Sequence, residues 1–383
     1  MKSTKLAIDA TPILPGRKGL GLFFENFLDQ LTAYPVAESL VVYIDEAFWE
    51  EAKENWPSLR LERVKSRPTL LWEQIHLPRR LRDDDAKILF TGRDRTCCEP
   101  KIKTVLYLFE VPDYRVSMTL RNSHEWYSKL SARYSKWRFG NISGRVSRFV
   151  SSSQATLNDL ARLYKVPQER IEIVYPGIQK RFFKPVTAEI RAAAKNSFCE
   201  GKPYVLHFAT GDPRDNTRVA LEAFSKAHPG LDSDLALLLA GTSEREEKCL
   251  RQEVDRLRIT DRTYYAGFLK DDLLAMAYQG AEAYLDPTLY EGFGFQLAEA
   301  MASGIPVLSS KISSVPEVVG EAGLLFDPLD VDGFASGLEK VLRRPVLRER
   351  LVSQGRQRAA RFSWKETVER IMTLLEQAFS GGS

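Results

Sequence analysis

The sequence predicts an α/β protein built from two parallel-sheet domains, and three observations predict it. Short apolar runs alternate with amphipathic helical stretches, as in βαβ units whose sheet is covered on both faces. The alternation occurs twice along the chain, and no short-period repeat or low-complexity segment interrupts it. The chain has 383 residues, more than one hydrophobic core usually serves, which is about 250–300.

The first half offers apolar runs at 5–9, 39–44, 87–90, 104–109, 148–151 and 171–174, each read as a strand. The last of these ends in Tyr175-Pro176-Gly177, and no periodic pattern resumes until Ala188, so the boundary is expected near 183/184. The second half offers strands at 204–208, 236–240, 263–266, 283–285, 306–309 and 323–325. Two helices close the chain, one at 346–361 and one opening at Trp364. Ser363 supplies an N-cap for the second and Glu366 a capping box. The expected domains are therefore 1–183 and 184–362.

Composition excludes several classes. The chain is 44% apolar and 28% charged, and it has no run of about 18 apolar residues, which excludes a transmembrane protein. Met1-Lys2-Ser3-Thr4-Lys5 followed by Leu6-Ala7-Ile8-Asp9 reads as a first strand rather than a signal peptide, so a cytoplasmic location is expected. Cys97, Cys98, Cys199 and Cys249 lack metal or redox spacing, which argues against a disulfide scaffold and a zinc ribbon. Asp83-Asp84-Asp85 is the one tight acidic cluster and reads as a solvated loop.

The net charge of +4 conceals an asymmetry. Residues 1–183 hold 30 Lys+Arg against 22 Asp+Glu, and residues 184–383 hold 25 against 29. Residues 115–148 contain eight basic residues and one acid, Glu125, interleaved with Trp126, Tyr127, Tyr134 and Trp137. This segment has three readings: a solvated helix face, an acceptor or membrane-surface site, and nucleic acid, for which no recognised module is present.

Residues 286–310 carry the most chemistry. A strand ends near Leu285, a turn runs to Gly294, and a helix opens near Phe295 and closes at Ser303-Gly304. Such a geometry aims the free N–H groups and positive dipole end of a helix at a phosphate or another anion. Gly292 and Gly294 flank Phe293, as suits a backbone that must approach a ligand closely. Glu291 lies on the loop and Glu299, eight positions on, in the second turn of the helix. An ionised carboxylate there suits acceptance from vicinal hydroxyls such as those of a ribose. The alternative is that Glu291 caps the helix and Glu299 is solvated.

This segment resembles the Glu-x7-Glu signature of the family 4 retaining glycosyltransferases. Further ordered matches support the resemblance: Arg17-Lys18-Gly19-Leu20-Gly21, Ser151-Ser152-Ser153, 171–178, 211–224, Leu239-Ala240-Gly241, Gly267-Phe268-Leu269, Val315-Pro316-Glu317 and Phe362-Ser363-Trp364. The resemblance implies the GT-B fold, two Rossmann-like doubly wound domains facing across a cleft. It places the acceptor on residues 1–183, the nucleotide-sugar donor on 184–362, and returns helix 363–383 to the first domain. Glu299 then corresponds to the ribose ligand and Glu291 to the carboxylate near the reacting carbon of the donor sugar. Gly292, Phe293, Gly294 and Phe295 would offer N–H groups to sugar hydroxyls and the distal phosphate. Gly19 and Gly21 form the turn that comes close to the diphosphate, and Leu269 lies where backbone groups bind the base. The family also implies transfer with retention, no metal and no other cofactor.

Two departures stand out. The family's diphosphate-binding Arg and Lys fall on Ala209 and Asp215 here, leaving Arg214 and Arg218 as replacement cations. Where relatives carry His-Asp after the fourth predicted strand, this chain has Phe109-Glu110, so Glu110 is a candidate for hydroxyl recognition or for action on the acceptor. His207 reads as a satisfied interior residue.

The expected function is transfer of a sugar from a UDP- or GDP-linked donor to a carbohydrate or lipid-linked carbohydrate, in surface polysaccharide assembly. Peripheral contact with the inner face of a membrane through 115–148 is one open reading, and nucleic acid is not an expected partner. The alternative is a non-catalytic relative that binds a nucleotide sugar as a regulatory or scaffold subunit. Trp72-Glu73-Gln74 and Leu77-Pro78 lean toward mannosyl- or rhamnosyltransferase-like relatives.

Overall fold

The computed structural model describes residues 6–15, 19–34, 40–113, 126–227 and 234–380. Arg17-Lys18, His228 and residues 115–125 of the basic segment lie outside them. The chain forms two compact units, Met1–Gly177 with Ser363–Ser383, and Ile178–Phe362.

Among the described residues the first unit holds seven parallel strands: β1 (Leu6–Asp9), β2 (Leu40–Asp45), β3 (Leu61–Val64), β4 (Ile88–Thr91), β5 (Lys103–Leu108), β6 (Arg148–Ser151) and β7 (Ile171–Ile173). Their order in the sheet is β3-β2-β1-β4-β5-β6-β7. Strand β3 was not anticipated. It is an edge strand paired to β2 alone, and in Leu-Glu-Arg-Val only Val64 is buried. A half-solvated edge needs no apolar run and therefore leaves little periodic signal.

Among the described residues the second unit holds six parallel strands: β8 (Tyr204–Phe208), β9 (Ala236–Ala240), β10 (Thr263–Ala266), β11 (Ala283–Asp286), β12 (Val307–Ser310) and β13 (Gly323–Phe326). Their order is β10-β9-β8-β11-β12-β13. Strands β8, β9, β11 and β12 are almost wholly buried, which accounts for their unbroken apolar runs. Each sheet reverses its winding direction once, between β1 and β4 and between β8 and β11. Doubly wound sheets bind ligands outside the carboxyl ends of the strands at such a reversal.

The division falls at Gly177/Ile178, earlier than 183/184. Residues 178–183 pack into the second unit: Ile178 N–H donates to Phe362 O at 2.9 Å, and Phe182 lies edge-on to Tyr278. The final helix, Trp364–Ser380, packs in the first unit. Thr367 Oγ1 donates to Tyr175 O at 2.8 Å, Lys103 Nζ to Ala378 O at 2.7 Å, and Arg370 pairs with Glu172. Phe23 anchors this core, stacked on Tyr107 at 4.0 Å and against Trp364 at 5.6 Å.

Gly177 abuts the start of that helix. A Cβ there would stand 2.2 Å from Trp364 N and 2.5 Å from its Cα. Backbone cannot yield as a flexible side chain does, so Gly177→Ala is expected to cost about 2 kcal/mol or more. A urea titration checks this, and an unchanged midpoint would refute it.

Candidate active site

The loop between β11 and the helix Phe295–Ala302 forms the candidate site. Gly294, the residue before the helix, has φ 90°, a left-handed conformation. A Cβ on it would also approach Leu297 Cδ1 to 2.8 Å, so only glycine suits both backbone and space. The helix runs from Phe295 to Ala302, and Ser303 N–H closes it on Glu299 O at 2.9 Å.

Neighbouring loops hold this turn. Leu289 N–H donates to Arg214 O at 2.8 Å, and Thr288 Oγ1 donates to the same carbonyl at 3.2 Å. Asn216 Nδ2 donates to Pro287 O and Pro328 O at 2.8 and 2.7 Å. On the other side Glu291 N–H donates to Ser313 Oγ at 2.9 Å. Ser314 Oγ donates to Glu291 O at 2.9 Å and Phe293 O at 3.1 Å. The loops after β8, β11 and β12 therefore form one hydrogen-bonded platform at the winding reversal. Its serines and Asn216 escaped the sequence reading because polar loop residues have no period. The signal that was available is the Ser313-Ser314 pair just before Val315-Pro316-Glu317.

Glu299 is 6% exposed, so it is not a solvated helix residue. Burial pushes its carboxyl up to about 8, against the opposing pull of the Tyr278 hydroxyl, which donates to Oε2 at 3.1 Å, and of Arg181. Tyr278 is itself fully buried among Phe182, Phe208 and Tyr284. Asp286, at the end of β11, is pushed up to about 8 by burial and by the nearby charge of Asp215. Asp215 is held at about 6, chiefly by burial, while Thr210 N–H and Oγ1 donate to its Oδ2 at 2.6 and 2.8 Å. Where the family resemblance places a lysine, this chain has a carboxylate that ties its own loop.

The two candidate arginines differ. The Arg214 side chain is 24% exposed, and its Nε and Nη2 fork onto Asp212 at 2.7–3.1 Å, which holds that carboxyl below the usual range despite burial. Arg218 is 75% exposed and pairs with Glu222 one turn along its helix. His207 is interior: its Nδ1 lies 2.8 Å from Leu285 O and its Nε2 3.0 Å from Thr217 Oγ1. A carbonyl only accepts, so Nδ1 carries the proton, and burial lowers the ring to about 4, leaving it neutral.

Leu269 follows the end of β10, where Gly241 N–H donates to Gly267 O at 2.7 Å and joins the loops after β9 and β10. Glu291, Gly292, Phe293, Gly294, Phe295, Glu299, Arg214, Arg218 and Leu269 thus all lie in the second unit. Gly19, Gly21 and Glu110 lie in the first. Gly19, at φ 51°, precedes the helix Leu20–Leu31, and Gly21 is buried in its first turn. Glu110 follows the end of β5, where Phe109 O accepts from Ser152 Oγ and Thr156 Oγ1 at 3.1 and 2.6 Å. Among the described residues, no group of three or more His, Cys, Asp or Glu is placed to hold a metal, and no helix is long and apolar enough to cross a membrane.

This doubly wound pair, with a glycine turn and buried carboxylate at the second reversal, has the fold of the GT-B glycosyltransferases. Within its second unit, residues 189–358 match the family model "Glycosyl transferases group 1". O-antigen chain mannosyltransferase B of Escherichia coli is 29% identical over 241 residues, 63% of each chain. The MMP alpha-(1->4)-mannosyltransferase of Mycolicibacterium hassiacum is 29% identical over 248 residues, 62% of this chain and 56% of that one. The aligned region thus spans about three fifths of these curated relatives. Among solved structures, sucrose-phosphate synthase from Thermosynechococcus elongatus superposes with a TM-score of 0.79 at 18% identity, covering 99% of this chain and 100% of that one. Anabaena HepE in complex with UDP and glucose gives 0.74 at 16% identity, covering 97% and 99%. These names give the non-catalytic alternative no support.

Proposed function

We propose that the protein is a retaining, metal-independent hexosyltransferase. It moves a sugar from a nucleoside diphosphate donor to a carbohydrate or lipid-linked carbohydrate acceptor in surface polysaccharide assembly. The observation that carries this reading is the spacing of Glu291 and Glu299 across a glycine-opened helix N-terminus at the winding reversal of a glycosyl transferases group 1 domain. The mannosyltransferase names of the relatives favour a mannose-type donor.

In this reading Glu299 accepts from the ribose hydroxyls and the first-turn N–H groups of Phe295–Ala302 face the diphosphate. The bond from the anomeric carbon to the diphosphate oxygen breaks as the acceptor oxygen bonds on the same face, and the acceptor proton passes to the departing diphosphate. Positive charge grows on the sugar, where Glu291 stabilises it, and negative charge grows on the leaving group, where the helix terminus and Arg214 stabilise it. Glu110, in the first unit, is assigned to the acceptor. The helix Trp126–Ser143 exposes Leu130 and Trp137 together with Arg133 and Lys136, which suits peripheral contact with an anionic membrane.

The test is transfer from a panel of UDP- and GDP-sugars to carbohydrate and lipid-linked acceptors, with donor hydrolysis followed in parallel. Absence of turnover with every donor, together with no thermal stabilisation by any nucleoside diphosphate, would sink the proposal. The exposures of the two arginines add a finer expectation. Arg214→Gln should weaken nucleoside diphosphate binding about tenfold, the loss of one charge-assisted contact, and Arg218→Gln should leave it within about twofold. Calorimetric titration reads both, and the reverse pattern would reassign the diphosphate to Arg218.

A further inference from the structure

A cavity lies in the first unit, outside the carboxyl ends of β2 and β3. It has a volume of about 540 Å³ and is lined by Glu46, Arg63, Val64, Lys65, Trp72, His76 and Arg80. That size falls within the range of small-ligand pockets. None of these residues belongs to the donor site.

Three elements build the pocket. Glu46 opens the turn after β2, which Asp45 caps by accepting from Ala47 N–H at 2.9 Å. Arg63 and Val64 end β3, and Ser66 N–H, two residues on, donates to Asp45 Oδ2 at 3.1 Å, binding the two strand ends together. Trp72 and His76 bound a single π-helical turn, and Arg80 follows one turn later, so all three project from one wall. Such single turns occur inside α-helices, frequently at functional sites.

The wall is rigid where a ligand would need it to be. The Trp72 indole is 1% exposed, donates from Nε1 to Asp9 Oδ1 at 3.3 Å and lies edge-on to Tyr43 at 5.7 Å. Next to it in the same turn Glu73, also 1% exposed, is pinned by Arg95 at 3.3 Å and Arg93 at 3.7 Å. The rim is cationic. Arg63, Lys65 and Arg80 face a single carboxylate, Glu46, whose 3.7 Å contact with Arg63 is exposed and weak. A concave site with an excess of cations over a fixed apolar floor selects an anion carried on an organic body, and a guanidinium forks onto phosphate oxygens.

We infer that this pocket binds a phosphate group borne by the acceptor substrate. Placement on the acceptor side rests on the proposed function, whereas phosphate binding by the pocket does not. The phosphate has two sources, a water-soluble phosphate ester or a phospholipid-type headgroup.

The full chain is compared with an Arg63→Gln/Arg80→Gln double variant and with Arg214→Gln. Thermal stability is read against glycerol phosphate and against UDP and GDP, and co-sedimentation against phosphatidylglycerol vesicles. The expected result is that glycerol phosphate stabilises the wild type and Arg214→Gln, while its shift falls by about threefold or more in the double variant. Nucleoside diphosphate shifts should remain in the double variant. A soluble ester gives the thermal response, and a lipid source gives vesicle binding that the double variant loses without one; either supports the pocket. Equal responses of wild type and double variant to both probes would overturn it. Should the double variant fold poorly, Lys65→Ala, at an exposed side chain, repeats the comparison. If no nucleoside diphosphate stabilises any of the proteins and no donor is turned over, the proposed transferase function fails and the acceptor assignment falls with it. A phosphate response that depends on Arg63 and Arg80 would still mark the pocket as a phosphate site.

Discussion

Glu291→Gln is expected to lower kcat on the order of 10² to 10³ while leaving nucleoside diphosphate affinity within about twofold. The backbone of Glu291 is held on both sides, its N–H by Ser313 and its carbonyl by Ser314. The side chain can therefore change without releasing the loop. If the carboxylate acts on charge that grows only as the sugar departs, its loss falls on kcat rather than on binding. Steady-state kinetics with calorimetric titration of the nucleoside diphosphate separate the two. An unchanged kcat would remove Glu291 from the chemistry, and a parallel loss of nucleotide binding would make it a structural residue.

Stability is expected to fall as pH rises from about 5 to 8, and Glu299 and Asp286 are the groups to test. The folded chain holds both carboxyls at about 8, above the ordinary carboxylate range they return to on unfolding. Between those limits the folded state binds more protons than the unfolded one, so the slope of stability with pH is negative. The stability these protons contribute is complete below the unfolded value and is lost as pH climbs through the folded one. Glu299→Gln keeps an oxygen for Tyr278 and carries no titrating proton. Relative to wild type it should gain on the order of 3 to 4 kcal/mol between pH 5 and pH 8. Denaturant titrations of both proteins at the two pH values decide the matter. A difference independent of pH would mean that Glu299 stays ionised in the fold. Asp286→Asn should behave alike, and by a smaller margin if Asp215 then ionises more readily beside it.

Much of the architecture was legible in the chain. Strands with both faces covered, such as Ala236–Ala240, are unbroken apolar runs and announce themselves. The turn before Phe295 was legible because a left-handed residue followed by a helix leaves glycine as a near-necessity. Strand β3 and the serines behind the loop were not, because an edge strand and a hydrogen-bonding loop impose no period on their residues. The boundary at Gly177 was displaced for a related reason. What assigns Ile178 and Phe182 to the second unit is contact with Phe362 and Tyr278, which lie far along the chain.

The opening features, two βαβ series in a chain of 383 residues with a net charge of +4, were determined by sequence alone. So was the eight-residue interval between Glu291 and Glu299, since local spacing fixes which turn of a helix a residue occupies. Tertiary structure decided what those carboxylates are. Burial pushes the Glu299 carboxyl up to about 8 against the opposing pull of Tyr278 and Arg181. Asp286 is pushed up to about 8 chiefly by burial and further by Asp215, which arrives beside it from another loop. Solvation and through-space charge depend on distances between residues remote in sequence, and only the folded chain sets those distances.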